Sequence, residues 1–257
     1  MSKQLNTGSL YVHSEHHVAT IKFSHSKQNS FPRELLQKLT AAFEQIALDA
    51  EVHVILLKSD EAFAFCAGAS FDELLQVKTA QQGKHFFMGF ANLINAMRKC
   101  PQPIIGRIHG RAIGGGVGIV AACDYAFASD AASVKLSEIA IGIGPFVISP
   151  AVSRKIGVAA LSELALTAHE WKNAFWAKEK GLYARVFDSL NKMDKEIDLL
   201  TQKLASYSPQ GVSELKKALW KGTEHWDQIL EENAEISGRL VLSETTQKTL
   251  QSFKNRS

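Results

Sequence analysis

The sequence predicts an α/β fold in which strand–helix units fill residues 1–190 and a helical region runs over 191–257. Three observations carry this reading. Short apolar, β-branched runs alternate with stretches of helical period through the first part of the chain. Glycine-rich segments stand where strands pass into helices. Past Pro150 helical spacing dominates, and Ala184 to Phe187 is the one strand-like run there.

In order along the chain, Ser9–His13 and Val18–Phe23 flank a polar Glu15-His16-His17 and read as a hairpin. Pro32 sits where a helix can begin, because its fixed φ and missing N–H suit a first turn. Leu35, Leu36, Leu39, Phe43 and Ile46 then recur at helical spacing to about Leu48. Val52–Leu57 is a nearly continuous apolar run and reads as a buried strand. A loop over 58–70 leads to a second amphipathic helix marked by Phe86, Phe90, Leu93 and Met97. Pro103–Ile108 reads as a strand entering the cluster Gly114-Gly115-Gly116-Val117-Gly118, and a short helix and the strand Tyr125–Ala128 follow. Helical patterns then cover Leu161–Leu166, Lys172–Lys180, Leu199–Leu204, Val212–Leu219 and Ile229–Leu240.

Composition bounds the function classes. A chain of 257 residues exceeds one domain of roughly 100–200 residues only modestly, so one large domain or a domain with an appendage is expected. It can bury a sizeable core without covalent staples. The three cysteines, Cys66, Cys100 and Cys123, are far apart and form no CxxC pair, which argues against a disulfide framework and for a reducing cytoplasm. The nine histidines show no metal-binding spacing, so no metal is expected. A net charge of +3, from 29 basic and 26 acidic residues, is too slight and scattered to point to nucleic acid. Residues 1–9 carry no apolar leader, and Ile113–Ala122 is too short to span a bilayer, which takes about 20 apolar residues.

Gly116-Val117-Gly118-Ile119-Val120-Ala121 matches G-x-G-x-x-A after a strand, which raises a nucleotide-binding oxidoreductase as a rival. That fingerprint needs an acidic residue ending the next strand of a βαβ unit, about 20 residues on. Glu138 lies 20 residues past Gly118, but no full crossover precedes it. A second small-residue junction, Phe65-Cys66-Ala67-Gly68-Ala69-Ser70, also joins a strand to a helical stretch. Two such junctions expose backbone N–H groups that can converge on one oxygen, as an oxyanion hole requires.

These segments carry a family resemblance. Lys27-Gln28-Asn29-Ser30-Phe31, Phe65–Ala69, His109-Gly110-Arg111-Ala112-Ile113-Gly114-Gly115-Gly116 and Cys123-Asp124 together resemble the enoyl-CoA hydratase/isomerase (crotonase) family. The likeness continues through Ser137-Glu138, Gly142 and Leu166-Thr167 to Gly181-Leu182, nearly the whole chain. It implies a β-β-α superhelix with a helical C-terminal trimerisation region, and a homotrimer or hexamer. It implies an acyl-CoA thioester as substrate, with coenzyme A part of that substrate and no separate cofactor. By family position the N–H groups of Ala69 and Gly115 would hold the thioester oxygen. Lys27 would sit near a CoA phosphate and Ala67 near the adenine, with Gly68, Gly114 and Phe146 completing the binding surface. Asn29 would order its loop.

Hydratases of this family carry two glutamates flanking the substrate. Gly118 stands at the first position here and Glu138 at the second, so the two-glutamate clamp on water is absent. One carboxylate serves hydration of a 2-enoyl thioester, and equally a shift of the double bond from C3–C4 to C2–C3. Leu136-Ser137-Glu138, Gly142, Pro145 and Val147–Pro150 resemble bacterial 3-methylglutaconyl-CoA hydratases of leucine degradation. The expectation is therefore a hydratase for a branched or carboxylated enoyl-CoA, with the branch using space left by Gly118. An isomerase or a decarboxylase of the same family is the alternative. Phe146, where some relatives carry an aspartate, counts against dienoyl isomerisation and dehalogenation. A catalytically inactive CoA-ester-binding or RNA-binding member is the non-enzyme alternative, and the retained Glu138 speaks against it. One or two of the aromatics at 86, 87 and 90 are expected in the acyl pocket. Cys66 is expected buried and inert, and His109 structural.

Overall fold

In the computed structural model the chain is described over residues 8–254; residues 1–7, which make up most of the segment read as lacking a leader, lie outside the described residues. Strands β1 (Ser9–Glu15) and β2 (Val18–Ser24) form the expected hairpin, paired antiparallel from Ser9↔Ser24 to Glu15↔Val18. Alternation in β2 buries Ala19, Ile21 and Phe23 on one face. After α1 (Arg33–Ala47), β3 (Val54–Ser59) adds to β2 in parallel. It is apolar on both faces because helices cover both, as in other parallel sheets.

Two helices follow. The short α2 (Phe71–Leu74) is capped by Ser70, and α3 (Ala80–Lys99) by Thr79, whose hydroxyl accepts from the Gln82 N–H. Strands β4 (Ile104–Ile108) and β6 (Tyr125–Ser129) extend the main sheet in parallel, and β9 (Arg185–Phe187) closes it in the order β1-β2-β3-β4-β6-β9. Arg107 of β4 is buried, and its guanidinium is held by Asp194 at 2.5 and 2.9 Å and by Glu61 at 2.9 Å.

A second, three-stranded sheet joins β5 (Ala112–Ile113), β7 (Ser133–Lys135) and β8 (Lys172–Asn173). Between β5 and β6 lies α4 (Gly115–Ala122), buried along its whole length apart from Gly115. The stretch 172–180, read as helical, is strand for its first two residues and helix only over α6 (Ala174–Glu179). Lys172 is drawn into β8 by pairing with Val134, and the Asn173 side chain caps the helix that follows.

The remaining helices are α5 (Ser149–Leu166), α7 (Leu190–Ala205), α8 (Pro209–Leu219), α9 (Trp226–Leu240) and α10 (Glu244–Lys254). Trp226, Leu230 and Ala234 of α9 bury in the same apolar core as the sheet residues Ile21 and Ile104. α3 and α9 touch backbone to backbone: a methyl on Gly83 would stand 2.6 Å from the Gly238 oxygen, and one on Gly238 2.4 Å from the Lys84 nitrogen. Lys84 pairs with Glu231, and Arg98 and Lys99 with Asp227, along the same seam. No described helix is long and apolar enough to cross a membrane.

Candidate active site

The segment 66–70 is fixed from both sides by main-chain hydrogen bonds. Phe31 N–H donates to Gly68 O at 2.7 Å and Ser70 N–H to Phe31 O at 3.0 Å. On the opposite side, Cys66 N–H donates to Arg111 O at 3.1 Å and Ile113 N–H to Cys66 O at 2.9 Å. The loop before it is held by Asn29, which is fully buried and donates from Nδ2 to Asp60 O and Ala64 O, both at 2.8 Å. Gln28 adds its own carbonyl, which accepts from Ala67 N–H. These bonds use the neighbouring donors and leave the Ala69 N–H with no partner among the described residues.

The second junction arrives from β5. Gly114 N–H donates to Lys135 O at 2.9 Å, which ties the turn to β7. Gly114 then takes φ +51°, a conformation that disfavours side chains, and starts α4. Gly115 is the first residue of that helix, so its N–H is one of the donors a helix start leaves unbonded, and it too has no partner among the described residues. The two loops meet: a Cβ on Gly68 would lie 3.4 Å from the Gly115 nitrogen. Two free donors, one of them the first N–H of α4, suit an oxygen that gains negative charge.

Glu138 follows β7 and opens a single 3-10 turn over Ile139–Ile141; its carbonyl accepts from Ile141 and Ile143 N–H. The side chain leans over the glycine turn, and a Cβ on Gly114 would stand 2.7 Å from its Oε1. The residue is half-buried, but Oε2 is buried without a hydrogen-bond partner. Burial pushes this carboxyl up to about 7, against a smaller opposing pull from the backbone amides of Glu138 and Ser137. A carboxyl poised there can both take and return a proton near neutral pH.

One cavity joins these parts. It is lined by Ala67, Gly68, Ala69, Gly114, Gly115, Glu138 and Phe146, so all but one of the site residues read from the sequence meet there. The exception is Lys27, which lies outside the lining with its ammonium engaged by Asp72 at the surface. Of the α3 aromatics, Phe87 and Phe90 line the pocket, while Phe86 packs in a separate cluster with Leu74 and Val77.

Sequence reasoning missed much of the wall. Phe71 and Leu74 come from α2, Ile143, Val147 and Ile148 from the segment after Glu138, and Ser237 from α9. The Ser70 cap and the apolar residues after it could have marked α2; nothing local marks Ser237. Gly118 itself is buried and does not line the cavity. A Cβ there would stand 2.4 Å from Ile148 Cγ2, so Ile148 fills the space expected for a substrate branch, and that expectation is corrected.

Other candidates have structural roles. Burial pushes the Cys66 thiol up to about 12, and its sulfur accepts from Gly68 N–H. His109 Nε2–H donates to Phe63 O at 2.9 Å. Asp124 accepts from Ile104 N–H and Trp220 Nε1–H and pairs with buried Lys216. No group of three or more ligating side chains that could hold a metal occurs among the described residues.

Comparison with known proteins gives one consistent answer. The family model described as Enoyl-CoA hydratase/isomerase matches residues 13–257. The peroxisomal Delta(3,5)-Delta(2,4)-dienoyl-CoA isomerase of Arabidopsis thaliana is 27% identical over 77% of this chain and 75% of its own. The mitochondrial methylglutaconyl-CoA hydratase of Rattus norvegicus is 30% identical over 72% of this chain and 58% of its own. Among solved structures, an enoyl-CoA hydratase from Mycobacterium avium is 27% identical, superposes with a TM-score of 0.85 and covers 96% of both chains.

Proposed function

Since the chain belongs to the enoyl-CoA hydratase/isomerase family, we propose that it hydrates the C2=C3 bond of an enoyl-CoA thioester, with Glu138 as its single acid–base group. The observation that carries the reading is the Glu138 carboxyl, unpartnered and buried at Oε2 and lining the same cavity as Ala69 and Gly115 with their two free N–H groups. The thioester oxygen accepts from both N–H groups. Glu138 removes a proton from water as its oxygen bonds to C3, and the π electrons pass to the thioester as an enolate. The protonated Glu138 then delivers that proton to C2, which restores the carboxylate. Lys27, at the surface beside the opening helix α2, meets a phosphate of CoA, and the assembled form is a trimer or hexamer.

Isomerisation is the second reading, and one observation favours it. Ile148 closes the side where Gly118 offers no second carboxylate, and a bond shift through C2 and C4 needs one proton carrier and no held water. The two readings part in deuterated water. Hydration gives a 3-hydroxyacyl-CoA carrying deuterium at C2, whereas isomerisation consumes a 3-enoyl thioester and gives no alcohol. Turnover by Glu138→Gln equal to that of the native protein overturns both.

A further inference from the structure

We propose that the acyl group this site accepts is an uncharged hydrocarbon chain and that the site rejects an acyl group bearing a second carboxylate; this rests on the thioester reading above. The cavity wall away from the glycine turns is built from Phe71, Leu74, Phe87, Phe90, Ile143 and Ile148. No lysine, arginine or histidine lines it among the described residues. The polar side chains that do are Ser137, Ser237 and Glu138, and the Ser237 hydroxyl is already donated to Asn233 O within α9. A distal carboxylate would enter with no cation to meet it and would face the Glu138 carboxyl, a like charge. Taking a charge out of water without a partner is strongly unfavourable, while the CH₂ groups of a hydrocarbon chain gain from burial on this wall.

The wall is also fixed in place. Ile148 is seated on Gly118, and Phe90 on Gly115, where a Cβ would be 2.2 Å from its ring. The loop carrying Phe146 is tied to α9 by Asn233 Nδ2, which donates to Phe146 O at 3.0 Å.

The test uses a near-isosteric pair, trans-2-pentenoyl-CoA and trans-glutaconyl-CoA, each also supplied as its 3-enoyl isomer. Turnover is followed by enoyl-thioester absorbance and by product analysis. The expected result is kcat/KM for the pentenoyl esters more than about 10²-fold above that for the glutaconyl esters, the scale of an unpaired buried charge. Phe146→Arg, which brings a guanidinium to the wall, should narrow that ratio at least about 10-fold; Ile141→Lys does the same from another side if the first variant misfolds by circular dichroism. Equal or better turnover of the glutaconyl esters by the native protein overturns the inference. Absence of turnover on all four esters overturns the thioester reading itself, so the two failures are distinct.

Discussion

Replacing Glu138 by Gln should separate stability from function, and the structure sets the size of both effects. The carboxyl titrates near 7 in the folded chain because it is buried, and near 4.5 when the chain unfolds. Between those values the unfolded state gives up its proton first. Folding is therefore favoured by the neutral form, and its stability falls as pH rises from about 4.5 through 7. Each unit of difference is worth about 1.36 kcal/mol, and integrating the two titrations from pH 5 to pH 8 gives a loss of about 2–3 kcal/mol. Gln is neutral at every pH and keeps the shape, so the variant escapes that loss. Urea denaturation of both proteins at pH 5 and pH 8, at one protein concentration, reads the difference. The variant's margin over the native protein should grow by about 2–3 kcal/mol between pH 5 and pH 8, while turnover drops by about 10²–10⁴-fold. The kcat/KM of the native protein should rise with pH through about 7 as the carboxylate forms. A stability gap that is the same at both pH values refutes the buried, raised carboxyl, and unchanged turnover refutes its role.

Ala69→Pro removes an N–H that serves no bond within the fold, so turnover should fall about 10²–10³-fold with little change in the thermal midpoint; a variant of native activity means the oxygen is held elsewhere. Gly118→Ala should destabilise by about 1–3 kcal/mol because its methyl meets Ile148 at 2.4 Å, and Ile148→Ala in the same chain should restore part of that loss in a double-mutant cycle. Additive losses from the two changes refute the contact. Lys27→Ala should raise KM for CoA esters with kcat unchanged, whereas an unaltered KM removes Lys27 from the binding surface.

Most of the main sheet was legible because its longer strands show a pattern: β2 alternates and β3 is apolar over Val54–Leu57, although β3, read over Val52–Leu57, runs two residues later. The second sheet was not. Its strands are two or three residues long, too short to carry any periodicity, and β8 hid inside a helical-looking run. The two glycine junctions were readable as exposed N–H groups because that exposure depends on local backbone. Glu138 was proposed through the family resemblance, by its place 20 residues past Gly118, which says nothing of its burial. The wall partners were out of reach. Ile148 touching Gly118 and Ser237 entering from α9 are products of tertiary packing, and no window of sequence holds both members of either contact.

The backbone contact between Gly83 and Gly238 has a bearing on when this molecule becomes competent. Ribosomes release the chain from its first residue onward, so Ala69, Gly115 and Glu138 emerge long before α9 exists. A nascent chain halted ahead of Trp226 holds every proposed reacting group and lacks the Ser237 side of its chamber. Closing that side joins segments separated by more than half the polypeptide, a slow kind of encounter for a folding chain. The glycine pair thus works as a late latch, engaged only once α9 has been made.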